Sequence, residues 1–163
     1  VKVGDANGVP MGGDVKTDTA PSMMIAALKD PNSGNLDRIQ VVKGWLDASG
    51  NVQNKIYNVA WSEPQNRKLD DKGLLPAVGN SVDIKQASYT NNIGATELNT
   101  VWKDPDFNPA LLAFYYVRVL EIPTPRWSTY DAKSLGIAPP KDFPATIQER
   151  AWSSPIWYTP NAK

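Results

Sequence analysis

The sequence predicts an all-β fold, a β-sandwich with long loops. Three observations predict it. Short runs alternate apolar and polar side chains, most clearly residues 113–122, "AFYYVRVLEI". Turn signals rich in Gly, Pro, Asn and Asp separate these runs. No stretch carries the periodicity of an amphipathic helix, so strands must supply both walls of the core.

Each element follows in order. Residues 1–21 hold six Gly and Pro residues and predict a lead-in with one short strand. Ser22–Leu28 is short and apolar, and Lys29-Asp30-Pro31-Asn32 closes it, which predicts a strand. Residues 37–47 and 52–61 flank the turn Ala48-Ser49-Gly50-Asn51 and predict a β-hairpin. Tyr57, Val59 and Trp61 share one face of its second strand, which predicts Trp61 as a core residue. Residues 63–79 read as a loop, 81–90 and 97–102 as short strands, and 104–109 as a proline-marked break. In 113–122, Tyr115, Val117 and Val119 take one face, while Tyr116, Arg118 and Leu120 take the other. The last strand spans 147–158, with Pro155 marking an edge or a bulge.

The last two strands are joined by residues 123–146, about two dozen positions, which is long for a structureless connection. Five prolines stiffen it.

The chain has 163 residues and 41% apolar content, which suits one domain over residues 1–163. It opens Val1-Lys2-Val3, which reads as the interior of a longer chain. Lys plus Arg and Asp plus Glu number 17 each, an argument against nucleic acid or an anionic membrane as main partner. There is no Cys, so no disulfide and no thiolate chemistry. There is no His either, which excludes Ser-His-Asp and Cys-His catalysis within the chain. Carboxylate chemistry or an oxygen-ligated calcium remains open.

Several constellations compete with bland readings. Trp45, Trp61, Trp102, Trp127, Trp152 and Trp157 form either a sugar-stacking platform or ordinary sheet packing, and packing is the commoner role except for Trp127, which sits in the long loop. Asp70-Asp71, Asp104/Asp106 and Glu121/Asp131 are acid–base pairs or plain surface charge. Asp104-x-Asp106-x-Asn108 imitates the start of a calcium loop but lacks its central glycine and late glutamate. Gly12-Gly13-Asp14 is an anion cradle or a turn; no helix pattern follows, so a turn is favoured. In 122–132, Arg126, Trp127, Thr129, Tyr130 and Asp131 pack varied recognition chemistry into a few positions. This is the candidate interface or ligand loop; its alternative is a lid on the core.

The stretches "RIQVVKGWLDASGNVQNKIYNVAWS", "FYYVRVLEIPTPRWSTYDA" and "IQERAWSSPIWYTP" resemble the bacterial family called domain of unknown function thirty-six oh four. The resemblance covers nearly the whole chain and corresponds to the C-terminal portion of family members. "FYYVRV" and "AWSSPIW" are also similar to the end of other proteins with a PHP-type (polymerase and histidinol phosphatase) catalytic domain. "YYVRV" followed by "SSPIWYT" looks like the closing pair of an immunoglobulin- or fibronectin-III-like sandwich.

The resemblance implies an accessory sandwich domain whose partner is an upstream, metal-dependent phosphoesterase-like domain of an exported, periplasmic protein. It carries no catalytic residue, metal ligand or cofactor onto this fragment, which is expected to have no activity alone. The alternatives are a carbohydrate- or small-ligand-binding sandwich and a purely structural module.

Overall fold

The computed structural model describes Ala6 and residues 8–160; the opening Val1-Lys2-Val3 lies outside them. The strands are β1 (Asp14–Val15), β2 (Ser22–Leu28), β3 (Leu36–Leu46), β4 (Val52–Trp61), β5 (Glu97–Lys103), β6 (Ala113–Pro125), β7 (Thr146–Trp152) and β8 (Ile156–Tyr158). One helix, α1 (Trp127–Leu135), lies between β6 and β7. Among the described residues the fold is therefore β-rich, with a short helix between β6 and β7.

The strands form two unequal layers. A six-stranded sheet runs β1-β8-β6-β3-β4, with β7 also on β6, and β2 and β5 pair as a separate ribbon. β1 lies parallel to β8; the other pairings are antiparallel.

The core lies between the layers. Met23, Ile25 and Leu98 of the ribbon cluster with Leu36, Ile39, Val41, Ala113, Tyr115 and Tyr158 of the sheet. Ile39 and Val41 are wholly buried, and each such burial contributes about 1.5–3 kcal/mol before entropy is charged. The 113–122 alternation is as expected: Val41 pairs Val117 and Ile39 pairs Val119 on the core face.

The predicted hairpin forms as β3 and β4, and Gly50 turns it with φ of 79°. Trp61 departs from expectation. The register shifts between Ile39 and Gln40, so that Ala60 pairs Ile39 and Trp61 pairs Arg38. A bulge residue flips the faces beyond it. Trp61 thus leaves the Tyr57 face; it is half-buried, and its Nε1–H donates to the Arg67 carbonyl at 2.8 Å.

Three further expectations are corrected. Residues 81–90 form turns with only an isolated Asp83–Ser88 bridge. There Asp83 Oδ1 accepts from Gln86 N–H and Ser81 donates to the Thr90 carbonyl, local bonds that compete with a ladder. The 147–158 strand is two strands, β7 and β8, separated by 153–155, where Pro155 has no N–H to donate.

The 123–146 segment is not a structureless loop. Residues 123–125 prolong β6, where its other edge has passed the end of β3, so the prolines cost no ladder bond there. Residues 127–135 are helical.

Candidate functional site

α1 explains why the helix escaped notice. It buries Thr129 and Ala132, a narrow stripe of small residues. Its large side chains point outward: Trp127 is 72% exposed and Leu135 70%, with Tyr130 exposed beside them. Arg126 is the extended N-cap residue, and Gly136 ends the helix at φ 66°, its N–H reaching the Ala132 and Lys133 carbonyls. Ile137 and Phe143, in the return to β7, are exposed as well.

The predicted interface residues therefore divide. Thr129 is buried and its Oγ1–H donates to the Ala145 carbonyl at 2.7 Å. Arg126 donates through Nε to the Pro144 carbonyl at 3.0 Å, and its backbone N–H to Ala145 at 2.9 Å. These two fasten the helix to its return segment. Trp127, Tyr130 and Asp131 are free at the surface. Lys133 Nζ meets the Gln86 carbonyl at 2.5 Å, tying α1 to the 81–90 turns.

The outer face of the large sheet, away from the ribbon, is a second aromatic surface. Cross-strand pairing puts Phe114 with Trp157, Tyr116 with Val42, and Arg118 with both Gln40 and Trp152. The Phe114 and Tyr116 rings lie 9° from parallel at 6.4 Å, and Phe114 meets Trp157 at 5.4 Å. Trp152 and Trp157 are 60% and 47% exposed. Arg118 donates from Nε and Nη2 to Gln40 Oε1, and Gln40 Nε2 donates to Asn58. Of the remaining tryptophans, Trp45 and Trp102 pack against the core.

The apparent calcium loop is already spent. Asp104 Oδ2 accepts from Lys43 Nζ at 2.6 Å and from the Tyr115 hydroxyl at 2.7 Å. Asp106 accepts from Lys55 and from the Tyr57 hydroxyl. Asp104 Oδ1 caps Asp106 N–H, and Asn108 Oδ1 caps Ala110 N–H. Ammonium groups stand where a cation would.

Lys43 is buried between the Trp45 and Tyr115 rings, 5.3 and 5.8 Å from their centroids. Burial and the bond to Asp106 hold the Tyr57 hydroxyl pKa well above its usual value; burial and the bond to Asp104 do the same at Tyr115. Hydrogen bonds from Lys55 and then Tyr57 hold Asp106 below the usual carboxylate range.

The other candidate pairs dissolve in the same way. Asp70 Oδ1 accepts from the Lys72 and Leu74 N–H groups and shapes a turn. Glu121 accepts from Ser33 Oγ at 2.5 Å, whereas Asp131 sits on the outer side of α1. Gly12 N–H donates to Pro155 and Gly13 N–H to Pro10, so the double glycine is a turn whose donors are used. Among the described residues, no three His, Cys, Asp or Glu side chains converge as metal ligands.

Sequence reasoning missed a buried hub. Asp37 accepts from Arg67 Nη2 at 2.6 Å, Arg38 Nε at 2.9 Å and Gln148 Nε2 at 3.0 Å. Arg67 also holds the Ser62 and Pro76 carbonyls, so the 63–79 loop is pinned to the sheet.

Fold and surfaces together define a two-layer β-rich domain with an outward-facing aromatic helix. The chain belongs to the family described as protein of unknown function (DUF3604), whose model matches residues 1–160. No curated protein and no solved structure matches it.

Proposed function

We propose that this chain is the accessory β-domain of a larger DUF3604 protein. It packs through α1 on a metal-dependent, PHP-type hydrolase domain and has no catalysis of its own. One observation carries this reading: α1 buries its small residues and presents Trp127, Tyr130 and Leu135 outward. Trp and Tyr are favoured interface anchors, and a frame fastened by Arg126 and Thr129 loses little entropy on docking. The absence of histidine agrees with a supporting role. On the same reading the two layers are an immunoglobulin-like sandwich variant closed by β6 and β8, and the parent protein is exported.

The test is amide exchange at residues 127–135 in the complete protein and in the isolated chain. Marked protection in the complete protein is expected; equal exchange sinks the reading. Metal-dependent phosphoester turnover by the isolated chain, abolished by a chelator, would refute its non-catalytic role.

A second reading has its own observation. The near-parallel Phe114 and Tyr116 rings, with exposed Trp152 and Trp157 and the Arg118–Gln40 pair, suit a carbohydrate ligand. Tryptophan fluorescence titration with soluble glycans separates the two: saturable binding lost in Trp157→Ala favours the sugar surface, and an unchanged signal across the glycans ends it.

A further inference from the structure

A sheet edge leaves a row of backbone N–H and C=O groups unpaired, and proteins guard such edges with charge, proline, bulges or short length. The edges here differ in that respect. β4 carries Lys55 and a bulge, β5 carries Glu97 and Lys103, β7 carries Glu149 and Arg150, and β1 is two residues long. β2 reads Ser-Met-Met-Ile-Ala-Ala-Leu, seven residues with no charge and no proline. Among the described residues its ladder is to β5 alone, so no described strand pairs with its far edge.

That open edge borders a groove of about 890 Å³. β2 forms one wall, and the inner face of the large sheet forms the floor through Val117, Val119 and Ala151. Ala151 pairs Val119 on the core side yet is exposed, because the two-stranded ribbon does not reach that far. Among the described residues, Lys16 is the one charged residue in the lining.

We infer that this groove takes one extended, uncharged polypeptide segment, which adds to the free edge of β2 and lays alternate apolar side chains on Val117, Val119 and Ala151. The backbone of β2 would supply the hydrogen bonds and the floor the side-chain preference, as in strand addition generally. The nearly uncharged lining disfavours a charged occupant, whose desolvation nothing there would offset. A second copy offering its own β2 does not fit. Pairing two such edges in one layer brings the partner's large sheet onto the side that β6 and β7 already fill. The inference stands apart from α1, so either can fail alone.

The probe is acetyl-Thr-Val-Thr-Val-Thr-Val-Gln-amide, which carries no charge, titrated into the chain by calorimetry, with a counterpart N-methylated at alternate residues. Expected are saturable binding, at least tenfold weaker binding of the N-methylated peptide, and slowed amide exchange in 22–28. Ala151→Lys, at an exposed position, should lower affinity at least tenfold while leaving the thermal midpoint in place. No binding, equal binding of the two peptides, or self-association of the chain through β2 would each overturn the inference.

Discussion

Lys43 and Asp104, 61 positions apart in sequence, meet at 2.6 Å in the core, with side-chain exposures of 5% and 0%. The pair joins β3 to the end of β5, so it fixes ribbon to sheet. Removing one partner strands a buried charge, at about 3–5 kcal/mol. Lys43→Met or Asp104→Leu should each lower the unfolding free energy, read from urea titration, by that measure. The double variant should cost far less than the sum, and a simple sum in the double-mutant cycle would show that the charges do not couple.

The same cluster sets an alkaline limit. Tyr57 and Tyr115 have hydroxyl pKa values raised in the fold, chiefly by burial. Above about pH 10 the unfolded chain sheds these protons while the folded chain keeps them, so stability falls from there upward. Urea midpoints at rising pH should show the decline, and Tyr57→Phe should flatten it.

Asp106 acts at the acid end. Its pKa is depressed, so its contribution is present above the unfolded value of about 3.9 and disappears as pH falls through the folded value. Asp106→Asn should remove this part of the acid transition; an identical acid profile would assign it elsewhere.

Gly44 lies under the Phe114 ring, and a β-carbon there would stand 2.4 Å from Phe114 Cζ. Gly44→Ala should therefore cost about 1–3 kcal/mol through overpacking. In a Phe114→Leu background the penalty should shrink. A full penalty in that background would place the strain in the backbone.

α1 separates anchoring from display. Thr129→Val removes the bond to the Ala145 carbonyl and should cost about 1 kcal/mol. Trp127→Ala should change the isolated chain's stability by less than about 0.5 kcal/mol, as exposed substitutions do. Thermal or urea unfolding of both variants checks the contrast, and a large loss in Trp127→Ala would make α1 a lid on the core.

What the sequence revealed depended on whether chemistry followed pattern. The β3–β4 hairpin was legible because Tyr57 and Val59 alternate beyond a glycine turn. Trp61 was misplaced because a bulge leaves no mark on alternation. α1 was hidden because its buried stripe is Thr129 and Ala132, too small to register as apolar periodicity. Lys43 is of a residue type seldom buried, and only its parity with Ile39, Val41 and Trp45 marks it as inward. The partnership of Asp37 with Arg67 and Gln148 joins three distant segments, and no local pattern encodes it.

That hub bears on how the chain acquires its fold over time. Asp37 draws on Gln148, 111 positions later, and β1 can pair only when β8 exists. A chain emerging in order from the ribosome holds an early aspartate without its late amide, and a first strand without its neighbour. Such distant closures slow folding towards the millisecond-to-second range. The hairpin β3–β4 can form early; the sheet is sealed only once β7 and β8 have followed it.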